Sequence, residues 1–210
     1  LCILMGTIQE PSRKGVAISK TSATDAQQSF PFMTVIRFLW QRKRLYGVLF
    51  LGSSFLSIAN YGSAAWYPEM LARNYGLSKS ETGSAFGMIY LIAGTIGVMA
   101  GPFLASRLQR AGYADANVRT VLIASIVSII PATVAPLMGS AESTLLVLWP
   151  TVFISMTYLG IMAVSFQLIT PNEMRGQTTA IYIFVTNIMG MAVGTSVLAG
   201  FTDFLFQDDL

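Results

Sequence analysis

The chain has 210 residues, of which 53% are hydrophobic and only 11% charged, and its mean hydropathy is +0.60. Soluble domains carry roughly 25% charged residues, so this chain has too few to cover a water-facing surface and lipid is its expected solvent. A net charge of +3 is too weak to point to nucleic acid, and no His with a single Cys (Cys2) excludes an internal disulfide and leaves little for zinc, haem or Cys–His chemistry. No cofactor and no metal are expected.

In chain order, the sequence opens at Leu1 inside an apolar run and ends at Asp208-Asp209-Leu210, which reads as a piece of a longer chain. Residues 1–9 are too short to span a bilayer and are expected to be the end of a preceding transmembrane helix. Residues 10–44 form a basic loop. Its stretch 15–29 is rich in Ser, Thr, Ala and Gln and reads as a linker. Within 32–44, Phe32, Met33, Ile36, Leu39 and Trp40 share one helical face and Arg37, Gln41 and Arg44 the other. That pattern predicts an amphipathic helix lying in the membrane interface, although a plain stop-transfer cluster accounts equally well for Arg42, Lys43 and Arg44.

Five runs free of charge follow, at about 45–67, 82–106, 120–141, 143–170 and 176–202. Each is long enough to cross a hydrocarbon core that needs about 20 helical residues. None alternates with the period of two that a barrel strand shows. The segment 45–206 is therefore expected to be a five-span bundle, with 207–210 an extracytoplasmic end. The 10–44 loop and the second-to-third loop (Arg107, Arg110, Arg119) are basic, and Glu142, Asp203, Asp208 and Asp209 make the other side acidic. The positive-inside rule then puts 10–44 in the cytoplasm. Trp40 with Tyr46, and Trp66 with Tyr67, suit the two aromatic belts.

Gly83/Gly87, Gly97/Gly101 and Gly190/Gly194 have the spacing that lets helix backbones approach closely. Pro102, Pro131, Pro136 and Pro150 are expected to kink or break helices. Three spans carry polar stripes: Ser53, Ser57, Asn60 and Tyr61 in the first; Thr151, Ser155, Tyr158 and Ser165 in the fourth; Thr179, Tyr182, Thr186 and Asn187 in the fifth. Lipid cannot satisfy such stripes, so they predict a central polar cavity. The alternative is that these groups bond their own backbone or a neighbouring helix. No Asp, Glu, Lys or Arg lies inside a span. Any acid that couples transport to protons sits outside this segment or at its edges, where Glu69, Glu173 and Asp203 lie.

The second span ends Gly101-Pro102-Phe103-Leu104-Ala105-Ser106-Arg107-Leu108-Gln109-Arg110. This resembles the cytoplasmic loop signature of the major facilitator superfamily. Glu10-Pro11-Ser12-Arg13-Lys14-Gly15 and Pro171-Asn172-Glu173-Met174-Arg175-Gly176 look like further segments of that family, after its sixth helix and before its eleventh. Trp66-Tyr67-Pro68, Arg73-Asn74-Tyr75-Gly76-Leu77-Ser78 and Arg175-Gly176-Gln177 are most similar to bacterial Spinster-like members. The resemblance implies an all-α polytopic membrane protein: a major facilitator-type bundle, its second six-helix half lacking the last helix. It also implies an N-terminal six-helix half as partner, a bacterial inner membrane, and secondary transport of a small, amphipathic or lipid-like solute by alternating access.

One position departs from the family: Ser106 stands where an Asp is usual. There the resemblance implies a carboxylate that holds the start of the eleventh helix, and Glu173 is expected to supply the missing charge. Arg107 and Arg110 sit at a helix C-terminus that favours cations, whereas Arg175 sits near an N-terminus that disfavours one. Arg175 is therefore expected to reach a carboxylate or the carbonyls of another helix. Gly101, Ser106, Arg107, Arg110, Glu173 and Arg175 form the candidate gate; Asn60, Tyr61, Tyr158 and, more weakly, Tyr182 are the candidate substrate-cavity residues. No catalytic group is assigned. No G-x-x-x-x-G-K-[ST] loop is present, which argues against an ATP-driven pump. A non-transporting permease subunit or membrane scaffold, and less so a membrane-embedded enzyme, remain as other classes.

Overall fold

The computed structural model describes residues 31–197, 199 and 200. The expectations for 1–9, for the linker within 10–30 and for 201–210, including Asp203 and the extracytoplasmic end 207–210, lie outside the described residues. The described chain is helical, with no strand, and five of its helices are long and apolar enough to cross a membrane. Their outward faces carry exposed Val48, Leu51, Phe55, Leu91, Met99 and Ile130, a surface that water would not tolerate and lipid does.

Helix α1 (Phe32–Gln41) ends at Arg42, whose φ of −107° and ψ of 29° break the helical ladder. Helix α2 (Lys43–Tyr75) starts immediately after, so Lys43 and Arg44 of the expected 32–44 helix belong to the first span instead. Phe32, Met33 and Trp40 are exposed, but Val35 is fully buried. Phe38 packs edge-on against Tyr46, with ring centroids 5.9 Å apart. Thus α1 has a second apolar face, held against α2 and α6, which the single-stripe reading missed.

The α2 helix continues through Pro68 and stops at Gly76, whose φ of +67° is the left-handed conformation that glycine adopts most readily. Ser78 then caps α3 (Lys79–Arg110) in a reciprocal box with Glu81. Helix α4 (Ala116–Leu137) follows, its entry marked by an Asp115–Arg119 pair at 2.7 Å. The guanidinium beside Asp115 holds that carboxyl below the usual carboxylate range. Helix α4 runs through Pro131 and tightens into a 3₁₀ turn around Pro136, so this span ends at Leu137 rather than near 141. Helices α5 (Ala141–Ile169) and α6 (Asn172–Val197) complete the bundle. Pro102, Pro131 and Pro150 all lie inside continuing helices, and only Pro136 sits at a terminus.

Two helices widen into a π turn: α3 at Tyr90–Gly94 and α6 at Met189–Gly194. In each, the threonine after the closing glycine donates its hydroxyl to the carbonyl four residues back, Thr95 to Leu91 and Thr195 to Met191, both at 2.5 Å. Helix α5 packs on α3, α4 and α6, while α2 packs mainly on the π turn of α6. A Cβ on Gly97 or Gly101 would run into the backbone carbonyls of Phe153 or Thr157 on α5. One on Gly190 would meet Ser57 and the Tyr61 ring, and one on Gly194 would sit 2.8 Å from the carbonyl of Ile58. The Gly83/Gly87 pair differs from the expectation: nothing lies within 4 Å of a Cβ at either position, because this face of α3 meets no other described helix.

Two apolar cores cap the bundle. One gathers Tyr67, Leu71, Phe86, Ile89 and Leu148; the other gathers Tyr46, Leu49, Ile161, Phe166 and Tyr182. Tyr46 and Tyr67 are therefore core residues rather than belt residues. Each has its hydroxyl bonded inside, Tyr46 to the carbonyl of Ile169 at 3.2 Å and Tyr67 to the carbonyl of Ala132 at 3.1 Å.

Candidate functional site

Between the two cores, the polar stripes of α2, α5 and α6 converge. Asn60, Tyr61, Tyr158 and Tyr182 line one cleft of about 260 Å³ together with Ser57 and Asn187. The stripes meet because Gly190 lets α6 lie directly against α2. That contact brings the Tyr61 hydroxyl to 2.5 Å from Asn187 Oδ1 and lets Ser57 donate to the carbonyl of Thr186 at 2.7 Å. The Asn187 amide in turn donates to the carbonyl of Ile183 at 2.8 Å. Tyr61 thus ties α2 to α6 through its hydroxyl and offers the cleft mainly its ring. Tyr182 is buried, and its ring stacks on Phe166 with centroids 4.5 Å apart. Tyr158 is also buried, and its hydroxyl interacts with Ser57. Asn60 is half-buried, and its amide is bonded to no other described residue, so it has the most hydrogen-bonding capacity to offer a ligand.

A second cavity of about 120 Å³ lies between α2, α3, α4 and α5, and Asn60 and Tyr158 line it as well. Ser63, Tyr67, Tyr90, Ser125, Ser128, Thr151 and Ser155 contribute the rest of its polar wall. Reading stripes span by span missed Ser63, Tyr67, Tyr90, Ser125 and Ser128. The i, i+3 pair of serines in the otherwise aliphatic third span was the available signal. No charged side chain lines either cavity.

The gate candidates fall at the end of the bundle where α1 lies. Gly101 is buried against α5. Ser106 donates to the carbonyl of Phe103 in its own helix at 2.8 Å, and no extensive packing joins α3 to α6. The Arg107 guanidinium lies over the Phe103 ring, 4.7 Å from its centroid. Arg110 and Glu173 are exposed, and among the described residues no hydrogen bond or ion pair links Glu173 to Ser106, Arg107 or Arg110. The charge expected from Glu173 is therefore not bonded to Ser106, and the two sit on helices that share no extensive packing. Arg175 Nε donates to the carbonyl of Thr170 at 3.1 Å, at the C-terminus of α5. The Thr170 hydroxyl also lies 2.9 Å from the Tyr46 hydroxyl, so one corner joins α2, α5 and α6.

Five apolar helices around an uncharged polar cleft define a polytopic α-helical membrane protein. The family model described as Major Facilitator Superfamily matches residues 1–195, and the chain belongs to that superfamily. Over 171 residues it is 26% identical to a protein of Mycolicibacterium smegmatis described as an MFS-type efflux pump. The match covers 80% of this chain and 38% of that pump, so the chain spans well under half of the relative's length. No solved structure matches the chain.

Proposed function

We propose that this chain is the second half of a secondary active transporter that moves a small or amphipathic organic solute by alternating access. In this reading an N-terminal six-helix half closes the other side of the α2–α5–α6 cleft, and the two halves rock about it. The protein sits in a bacterial inner membrane with residues 10–44 in the cytoplasm, within a branch similar to Spinster-like members. The mycobacterial relative's description as an efflux pump makes export the direction to test first.

The observation that carries the reading is the convergence of Asn60, Tyr61, Tyr158 and Tyr182, from three helices, on one uncharged cleft between two apolar cores. Transporter sites form at such places, and an amide with aromatic faces suits an amphipathic molecule better than a bare ion. The test uses the whole transporter reconstituted in liposomes and a panel of radiolabelled amphipathic amines, alcohols and acids. At least one is expected to move against its gradient, with Asn60→Ala weakening its binding roughly threefold to tenfold, the worth of one hydrogen bond. If nothing is transported, or Asn60→Ala alters only the melting temperature, the cleft is not the substrate site.

A further inference from the structure

Apart from the two cavities already described, α3, α4 and α5 leave a groove of about 440 Å³ between them. Leu104 and Leu108 of α3, Ile123 and Val127 of α4, and Phe153 and Ile154 of α5 give it apolar walls. Three lining side chains are polar. Thr120 and Thr157 donate their hydroxyls within their own helices, to the carbonyls of Ala116 at 2.8 Å and Ile154 at 2.7 Å. The third is Arg107, exposed at the end of the groove beside the α3–α4 loop, with exposed Arg110 one turn further on. Arg107 rests on the Phe103 ring, a contact that commits none of its N–H donors. Among the described residues neither guanidinium has a hydrogen bond or a carboxylate partner, and Asp115, the acid of that loop, is held by Arg119 at 2.7 Å.

The rim residues Leu104, Ile123 and Val127 are exposed, and α4 has the highest hydropathy and the smallest buried share of the five spans. Such a helix suits contact with lipid, whose tails are as apolar as leucine. At roughly 30 Å³ for a water-sized group, the groove holds on the order of 15, enough for one acyl chain. A neighbouring helix fits less well: a segment about 10 Å long and about 10 Å across would fill roughly 800 Å³. We infer that the groove holds one acyl chain of an anionic phospholipid, its phosphate at Arg107 and Arg110 in the leaflet that contains the α3–α4 loop. Guanidinium forks match phosphate geometry. A zwitterionic lipid brings a cation of its own beside that phosphate, so a headgroup of net negative charge gains more from two unpaired arginines. The inference stands apart from the α2–α5–α6 cleft and from the transport reading.

The test uses the whole transporter in an uncharged detergent. It is titrated with phosphatidylglycerol and phosphatidylcholine that carry the same photoactivatable chain, and the cross-links are mapped on peptides. At roughly fivefold per engaged arginine, phosphatidylglycerol should bind about fivefold or more tightly than phosphatidylcholine. Its chain should label 104–108, 120–127 or 153–157. Arg107→Gln should weaken phosphatidylglycerol roughly fivefold and leave phosphatidylcholine unchanged. Ile123→Trp, which sets a large ring at the rim, should displace the chain and remove the labelling. Met99→Trp, at an exposed position of α3 that does not line the groove, should change neither lipid. Equal binding of the two lipids, or a preference that survives Arg107→Gln, overturns the inference. Displacement of phosphatidylglycerol by an equal concentration of glycerol 3-phosphate would also overturn it, in favour of a free-anion site without a chain. Labelling that avoids the groove would mean that a helix from the rest of the transporter covers it, and overturns the inference too. Binding is read without any solute, so each of these failures leaves the transport reading standing.

Discussion

At the scale of single residues, Tyr61 and Asn60 are neighbours with different expected roles. The Tyr61 hydroxyl is bonded to Asn187 across α2 and α6, so Tyr61→Phe should lower stability by about 0.5–1.5 kcal/mol and spare substrate affinity. Melting temperature and substrate binding, measured on one preparation, read the two effects separately. A loss of affinity without a loss of stability would mean that the hydroxyl leaves Asn187 for the ligand. The arginines differ in the same manner. Arg175 bonds the Thr170 carbonyl that closes α5, and Arg107 rests on Phe103, and neither lines the cleft that holds Asn60. Neutralising either should slow transport and shift the inward–outward balance, read by cysteine accessibility, with substrate affinity nearly unchanged. A large loss of affinity with an unmoved balance would contradict this. Ser106→Asp would place an acceptor-only group where a hydroxyl now donates to its own helix; with no extensive packing of α3 on α6 in this half, its effect is expected only where the N-terminal half or another conformation supplies a partner.

At the scale of helices, glycine spacing and glycine function separate. Gly97 and Gly101 face α5 backbone, which cannot move aside as a flexible side chain would. Gly101→Ala should therefore push α3 from α5 and cost about 1–3 kcal/mol, as overpacking does. Gly87→Ala meets open space and should be neutral, or stabilising by up to about 0.5–1 kcal/mol through lost unfolded-state freedom. Detergent melting curves of the two variants compare them directly, and equal losses would mean that the N-terminal half packs on Gly87. The spacing was legible in the sequence, but which pairs touch was not, because G-x-x-x-G has the same form whether a helix or lipid lies opposite. The π turns of α3 and α6 were also invisible: Gly94-Thr95 and Gly194-Thr195 are ordinary dipeptides until the widened ladder shows their common hydroxyl bond.

At the scale of the molecule, the charge asymmetry of the loops predicts a topology. With Cys2 replaced, a single cysteine at Ser140 in the whole transporter should react with an impermeant thiol reagent in intact cells, and one at Ala114 should react only after the membrane is opened. Both positions are exposed between helices, so reactivity reports side rather than burial. Labelling of Ala114 in intact cells would invert the bundle and with it the assignment of 10–44 to the cytoplasm.

Composition and run length determined by themselves that this chain is a set of membrane helices. Hydrophobic transfer depends on residue type and length, which the sequence states directly. The loop segments around Gly101–Arg110 and Pro171–Gly176 carried the superfamily, and the polar stripes named Asn60, Tyr61, Tyr158 and Tyr182. Only the tertiary structure decided how those stripes divide their work. A hydroxyl on a stripe can donate to its own helix, to a neighbour or into a cavity, and the choice depends on which backbone lies within 3 Å. That distance follows from packing across more than a hundred residues of sequence, as in Tyr61 with Asn187 or Tyr46 with Thr170, and no local pattern encodes it. For the same reason Glu173 and Ser106, paired by analogy of charge, lie on helices that share no extensive packing, while the serines of an aliphatic span line a cavity with their protons already committed elsewhere.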